Sequence, residues 1–306
     1  MSPQVEAVNF HVWQPCNMRC AFCFGRFRDV RRQLLPEGHL APDDAAAVVA
    51  LLAAAGFEKI TFSGGEPFLC PWLPELVRIA KRGGMTTAVV TNGSLLDDEL
   101  LERLEDSLDW LALSVDSLNP RALRDTGRVT AGDALSVEDY LTLGRLIRGR
   151  GIRLKINTVV SRANWQEDLS EFILTIRPAR WKVMQVLSIE GQNSGAVDRL
   201  LIEDEQFRRF VARHRHVEAS DVVLVAERND DMIASYAMVD PAGRFFDNTH
   251  GSYTYSDSIL SLGVAEAIKQ IEISRDKFLG RGGRYDWRRQ HQTGRAAPPA
   301  DEGTRR

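Results

Sequence analysis

Between Ala7 and Ile189 short apolar segments alternate with amphipathic ones six times over, and this alternation limits what the chain can fold into more than any other feature. Ala7 to Trp13 reads as the first strand. Lys59 to Ser63, Thr86 to Thr91, Trp110 to Val115, Arg153 to Val160 and Trp181 to Ile189 read as the next five. Helices are expected at Pro42 to Ala55, with Asp43 or Asp44 as cap and Gly56 as stop, and at Leu73 to Arg82, Asp97 to Leu104, Ser136 to Arg148 and Gln166 to Ile176. Such repetition implies a parallel sheet with right-handed crossovers, hence a barrel, closed or partial, or a doubly wound sheet. The small polar residues separate the two. Ser63-Gly64-Gly65, Asn92-Gly93-Ser94, Ser114 to Ser117 and Asn157 follow or end strands, on the rim where (β/α) barrels carry their sites. The expectation is therefore an α/β chain with a partial (βα)6 TIM-like barrel over residues 1–190.

After Ile189 the pattern weakens to a helix at Glu203 to His214, a strand at Val222 to Glu227 and a hairpin through Tyr236 to Phe246 turning at Pro241-Ala242-Gly243. A last helix is expected at Gly263 to Ile271. Residues 191–287 are read as a C-terminal extension. Residues 288–306, dominated by Gln, Gly, Ala, Pro and Arg, are read as a disordered tail.

The first strand delivers Cys16-Asn17-Met18-Arg19-Cys20-Ala21-Phe22-Cys23, three cysteines spaced CxxxCxxC. Three thiolates suit a 4Fe-4S cluster whose fourth iron stays open to a small molecule. A tetrahedral zinc site would need a fourth ligand, for which His11 and His39 are the local candidates. Cys70 stands apart and is read as a buried spectator thiol. The cysteine usage fits a reducing cytoplasm rather than a disulfide framework. A formal net charge of -3 gives no electrostatic case for nucleic acid or a membrane surface. No segment approaches 18 uninterrupted apolar residues, so the chain is expected to be cytoplasmic and unanchored.

Ser63-Gly64-Gly65-Glu66-Pro67 is the second informative stretch. Glycines at a strand end let backbone approach a ligand closely, and Glu66 would offer a negative partner to an ammonium group. About 40 residues after the cysteines, this stretch resembles the GGEP motif of the radical SAM enzymes, in which S-adenosylmethionine chelates the open iron. More narrowly, Asn9-Phe10-His11, Glu58 to Leu69, Asn92-Gly93-Ser94-Leu95, Lys155-Ile156-Asn157, Arg180-Trp181-Lys182-Val183 and Arg281-Gly282-Gly283-Arg284-Tyr285 look like the viperins, over about residues 8 to 290.

That resemblance implies a radical SAM nucleotide dehydratase. Such an enzyme abstracts the 4′ hydrogen of a ribonucleoside triphosphate, CTP in animals, and yields the 3′-deoxy-3′,4′-didehydro chain terminator of antiviral defence. An electron donor such as flavodoxin or ferredoxin is implied as well. The resemblance assigns the cluster to Cys16, Cys20 and Cys23, and the S-adenosylmethionine contacts to Gly64, Gly65, Glu66, Asn92, Ser114 and Ser117. It assigns the triphosphate to Lys59, Lys155, Arg180 and Lys182 on converging strand ends, with Ser63, Asn157 and Arg281 nearby. Asn9 is placed at the nucleotide, and Tyr236 beside the ribose as a proton donor or relay. The extension would close the nucleotide site, with Arg281 to Tyr285 folding over the phosphates.

Arg244-Phe245-Phe246-Asp247-Asn248-Thr249-His250-Gly251-Ser252-Tyr253 departs from the animal pattern, which makes UTP an alternative to CTP. A peptide maturase of the same superfamily would add C-terminal cysteines, and none follows Cys70. A non-catalytic Fe-S redox sensor would have no use for three strand-end lysines that cradle a triphosphate.

Overall fold

The computed structural model describes residues 3–287. Seven strands, β1 (Ala7–Trp13), β2 (Lys59–Gly64), β3 (Thr86–Thr91), β4 (Trp110–Ser114), β5 (Arg153–Val160), β6 (Arg180–Gln185) and β7 (Val223–Glu227), run parallel and side by side in chain order. A doubly wound sheet reverses its order at a switch point, whereas a (β/α) barrel does not. The unreversed order is that of the barrel. It stays partial because the second edge of β1 is taken by β8 (Ala237–Val239), parallel to it, with β9 (Arg244–Asp247) and β10 (Thr254–Ser258) following antiparallel.

The two faces of the sheet are legible in β5, where exposure alternates residue by residue. Leu154, Ile156, Thr158 and Val160 are buried, while Lys155, Asn157 and Val159 turn to the opposite face and line a cavity. On the neighbouring strand Trp181 is fully buried, donating to Thr158 Oγ1 at 3.0 Å and packing edge-on against Phe210.

Several boundaries differ from the expected ones. The helix Pro42–Ala54 has Ala41 at its N-cap with no side-chain cap; Asp43 and Asp44 sit in its first turn, where carboxylates favour the helix dipole. The helix expected from Gln166 begins at Ser170, and the strand expected to reach Ile189 ends at Gln185. Helices at Pro120–Thr126 and Arg275–Gly280 have seven and six residues, too few for a 3.6-residue period to show in the sequence. Among the described residues no helix is long and apolar enough to cross a membrane. The tail at 288–306 lies outside the described residues.

Candidate active site

A cavity of about 310 Å³ runs along the inner face of the curved sheet. Every site residue singled out from the sequence lines it except Glu66 and Ser117. The cavity has two chemically distinct ends. Gly64, Asn92 and Ser114 lie at the C-terminal ends of their strands beside the cysteines, as a barrel rim predicts. The cations do not. Lys59 opens β2, Arg180 opens β6, and Lys155 and Lys182 are each third in their strands. Five steps from Lys59 to Gly64 at about 3.3 Å per residue separate the ends by roughly 16 Å. The expectation of cations on converging strand ends is thus corrected: they occupy the N-terminal half of the sheet, inside the barrel.

At the cysteine end, the loop is pinned by its own backbone. Arg19 N–H donates to Gly127 O at 3.1 Å and Ala21 N–H to Thr126 O at 2.8 Å, which ties the loop to the end of the helix Pro120–Thr126. Gly65 N–H donates to Trp13 O and Glu66 N–H to Pro15 O. A Cβ on Gly64 would lie 2.2 Å from Trp13 O and one on Gly65 2.1 Å from Pro15 O, so these glycines are demanded by the approach of the cysteine loop. Asn92 Nδ2 donates to Asn17 Oδ1 at 2.9 Å, and Asn17 Nδ2 to Ser94 Oγ at 2.8 Å.

Cys16, Cys20 and Cys23 are thiols facing the same cavity. Burial pushes the Cys16 thiol up to about 11 and the Cys20 thiol up to about 12, and raises Cys23 as well. Thiols of this kind become thiolates when iron deprotonates them. Arg128, buried against the Phe22 ring and paired with Asp116, places a positive charge beside them. Among the described residues no three His, Cys, Asp or Glu groups could hold a single metal ion. Three thiols lining one open space are the donor set of a 4Fe-4S cluster with one open iron.

Glu66 and Ser117 are turned elsewhere. Glu66 is 1% exposed and does not line the cavity; its Oε1 accepts from Phe68 N and Thr91 Oγ1 and its Oε2 from Asn92 N. Ser117 Oγ donates to Glu167 at 2.6 Å, outside the cavity. Ser63 and Ser114 do line it, as does Asn157, whose buried Oδ1 has no partner and so awaits a donor. His11, in contact with Phe27 and Phe246, is held neutral by burial, its imidazole pushed down to about 3.

At the other end, Lys59, Lys155, Arg180, Lys182 and Arg281 meet. Burial, and then each other's charge, holds Lys59 and Lys155 well below the usual lysine range. Tyr285 covers this end: Lys59 Nζ donates to its hydroxyl at 2.5 Å, and the Arg180 guanidinium stacks 4.1 Å from its ring while donating to Gly282 O at 2.8 Å. Tyr236 donates to Glu227 and accepts from Lys182. Sequence reasoning missed Arg128 and Glu227 as site residues, and it gave Asn17 and Tyr285 no role of their own within the stretches it named. Glu227 carried a signal, since it ends an expected strand; Arg128 carried none.

The chain matches the Radical SAM superfamily model over residues 12–174. An S-adenosylmethionine-dependent nucleotide dehydratase of Flammeovirga pacifica is 47% identical over 284 residues, covering 93% of this chain and 97% of that protein. The protein of the same description from Lacinutrix mariniflava is 50% identical over 285 residues, and this chain spans 93% of its own length but 59% of that relative. Among solved structures, native anSMEcpe with bound AdoMet and Kp18Cys peptide shares the fold, with a TM-score of 0.66 at 13% identity over 89% of this chain and 82% of that one. With CxxxCxxC facing one end of the cavity and the nucleotide dehydratases as its relatives, this chain belongs to the radical SAM superfamily and, within it, to the S-adenosylmethionine-dependent nucleotide dehydratases that the viperin motifs indicated.

Proposed function

We propose that this enzyme converts a ribonucleoside triphosphate, CTP or UTP, to its 3′-deoxy-3′,4′-didehydro analogue, a chain terminator serving antiviral defence in the cytoplasm. The observation that carries this reading is the convergence of Lys59, Lys155, Arg180, Lys182 and Arg281 at one end of the cavity whose other end holds the three cysteines. Five cations gathered around one carboxylate, Glu227, call for a polyanion, and a triphosphate supplies it. With its phosphates there, a nucleotide reaches toward the cysteine end along the sheet, bringing the ribose between the two.

Cys16, Cys20 and Cys23 would hold the 4Fe-4S cluster, and Gly64, Gly65, Asn92 and Ser114 face the space where S-adenosylmethionine would lie. When bound, that pair would supply a 5′-deoxyadenosyl radical to take the 4′ hydrogen, with electrons from a donor such as flavodoxin or ferredoxin. The chain's own part is to hold the ribose and to manage one proton. The 3′-oxygen leaves as water, and Tyr236, hydrogen-bonded to Lys182 and Glu227, stands in a connected chain of proton donors. Asn9 and Asn157 offer hydrogen-bonding groups along the same face. Asn248 and Tyr253, from the segment that departs from the animal pattern, line the cavity and carry the choice between CTP and UTP.

Anaerobic incubation of the reconstituted enzyme with S-adenosylmethionine, reductant and each of the four ribonucleoside triphosphates tests this directly. Mass spectrometry should show one pyrimidine triphosphate lose the mass of one water together with stimulated release of 5′-deoxyadenosine. If no triphosphate stimulates that release, the reading fails.

A further inference from the structure

We propose that Glu227 is a positioning residue for the nucleotide, its carboxylate fixing the Lys182 ammonium, the Tyr236 hydroxyl and the Arg281 guanidinium at one point of the cavity. This rests on the nucleotide reading above. Glu227 ends β7, in register with Met184, while Lys182 is in register with Val225, so the two side chains meet across adjacent parallel strands. Lys182 Nζ is 2.7 Å from Glu227 Oε1 and Arg281 Nη1 is 3.4 Å from the same oxygen, while Tyr236 donates to Oε2. Arg281 is held in turn by stacking 3.5 Å over the Tyr236 ring and by donating twice to Ser235 O. Glu227 is 1% exposed and is the one acceptor that all three groups share.

A carboxylate in a triphosphate cradle has two opposed effects. It repels the phosphates, and it keeps their lysine charged. The groups facing Lys182 decide between them: Glu227 from β7, Tyr236 and Arg281 from the chain that follows, Arg180 on its own strand, and Lys155 and Lys59 from β5 and β2. Burial pushes the Lys182 ammonium down to about 8, with Arg281 and Arg180 acting the same way; Glu227 opposes them through its charge and its hydrogen bond. Without that carboxylate the ammonium would lose its proton within the neutral range. The neutral amine no longer attracts phosphate, so the net effect of Glu227 is to strengthen binding.

The test is calorimetric titration of the cluster-loaded, S-adenosylmethionine-bound protein, without reductant, with whichever of CTP and UTP the parent binds more tightly, from about pH 6 to about pH 9. The parent's affinity should fall as pH rises through the range where the buried lysines lose their protons, with the step that Lys182 contributes lying near pH 8. In Glu227→Gln that step should lie about one unit lower, giving about a threefold weaker Kd near pH 7.5, approaching about tenfold above pH 8, with recovery toward pH 6. Lys182→Arg, alone and combined with Glu227→Gln, should lack that step and keep only the slope that Lys59 and Lys155 give, because a guanidinium keeps its proton. Tighter binding by Glu227→Gln, or a loss of the same size at every pH, would overturn the proposal. So would a break near pH 8 that survives in Lys182→Arg, a result that decides the matter even if Glu227→Gln does not fold. A parent that binds no triphosphate at any pH sinks the nucleotide reading itself, whereas a binding parent with an unshifted Glu227→Gln profile sinks this proposal alone.

Discussion

Glu66 Oε2 accepts the Asn92 backbone N–H at 2.9 Å, joining the end of β2 to the turn after β3. With Oε1 taken by Thr91 Oγ1 and Phe68 N, this carboxylate shapes the wall behind the space lined by Gly64, Gly65 and Asn92. Asn92 carries the effect forward through its amide bond to Asn17 in the cysteine loop. Glu66→Ala should therefore cost about 1–3 kcal/mol in chemical denaturation, for the buried donors it orphans, and weaken S-adenosylmethionine binding as a consequence. If the variant unfolds like the parent and loses only cofactor affinity, Glu66 touches the cofactor directly.

What could be read from the sequence here was what repeats or clusters locally. Strand–helix alternation is periodic, and it pointed to a parallel sheet; the small polar residues at the strand ends then chose the barrel. The cysteine loop and Ser63-Gly64-Gly65 are contiguous, so their joint place at the rim followed. Depth along a strand has no such signature: the charge of Lys155 and its side of the sheet are visible in the sequence, its place in the inner half is not. The contacts that complete the site join distant segments, as Lys59 and Tyr285 do across 226 residues and Lys182 and Tyr236 across 54. Arg128 lies in a stretch with no period, and only the fold brings it against Asp116.

Cys70 provides an internal control for the cluster ligands. It is 2% exposed, does not line the cavity, and burial pushes its thiol up to about 12. After anaerobic reconstitution, Cys70→Ala should keep the parental iron and sulfide content of one 4Fe-4S cluster per chain. Cys16→Ala, Cys20→Ala and Cys23→Ala should each lose most of it, together with all cleavage of S-adenosylmethionine. Loss of iron from the Cys70 variant would reassign the ligands.

The segment that covers the cation end is sterically fixed at Gly283. A Cβ there would lie 2.5 Å from both the ring and the carbonyl oxygen of Phe278, neither of which can yield cheaply inside its packing. Gly283→Ala should displace Tyr285 from Lys59 and Gly282 from Arg180. The overpacking is worth about 1–3 kcal/mol, which would raise the KM for nucleotide by about ten- to a hundredfold. S-adenosylmethionine binding, at the far end of the cavity, should not change. Hydrogen exchange over residues 281–287 reads the same event, slowing on nucleotide addition in the parent and less in the variant. Equal slowing in both would remove any closing role for the segment.

Lys155 and Lys182 face the same space, yet their removal should affect the empty protein in opposite directions. Among the described residues Lys155 Nζ has no hydrogen-bond or ion-pair partner, whereas Lys182 is paired with Glu227 at 2.7 Å. Burial, then Lys182, Lys59 and Arg180, hold Lys155 well below its ordinary 10.5. Between that lowered value and 10.5 the unfolded chain binds more protons than the folded one, so stability rises with pH across this window and is lower at neutral pH. Lys155→Met keeps most of the side-chain volume and removes that burden. Its melting temperature at neutral pH should exceed the parent's, and the rise of stability with pH should become shallower. Lys182→Met leaves Glu227 buried with Arg281 as its remaining ionic partner, and breaking a buried pair costs about 3–5 kcal/mol, so its melting temperature should fall. Both should nevertheless lose nucleotide affinity by about two to four orders of magnitude. A triphosphate also restores protons to the depleted lysines, so its binding to the parent near pH 8 should take up protons, measured as a dependence of the calorimetric heat on the buffer's ionisation enthalpy. Proton release on binding, or stability changes of the same sign in the two variants, would show that these lysines are not the desolvated cations the cavity makes them.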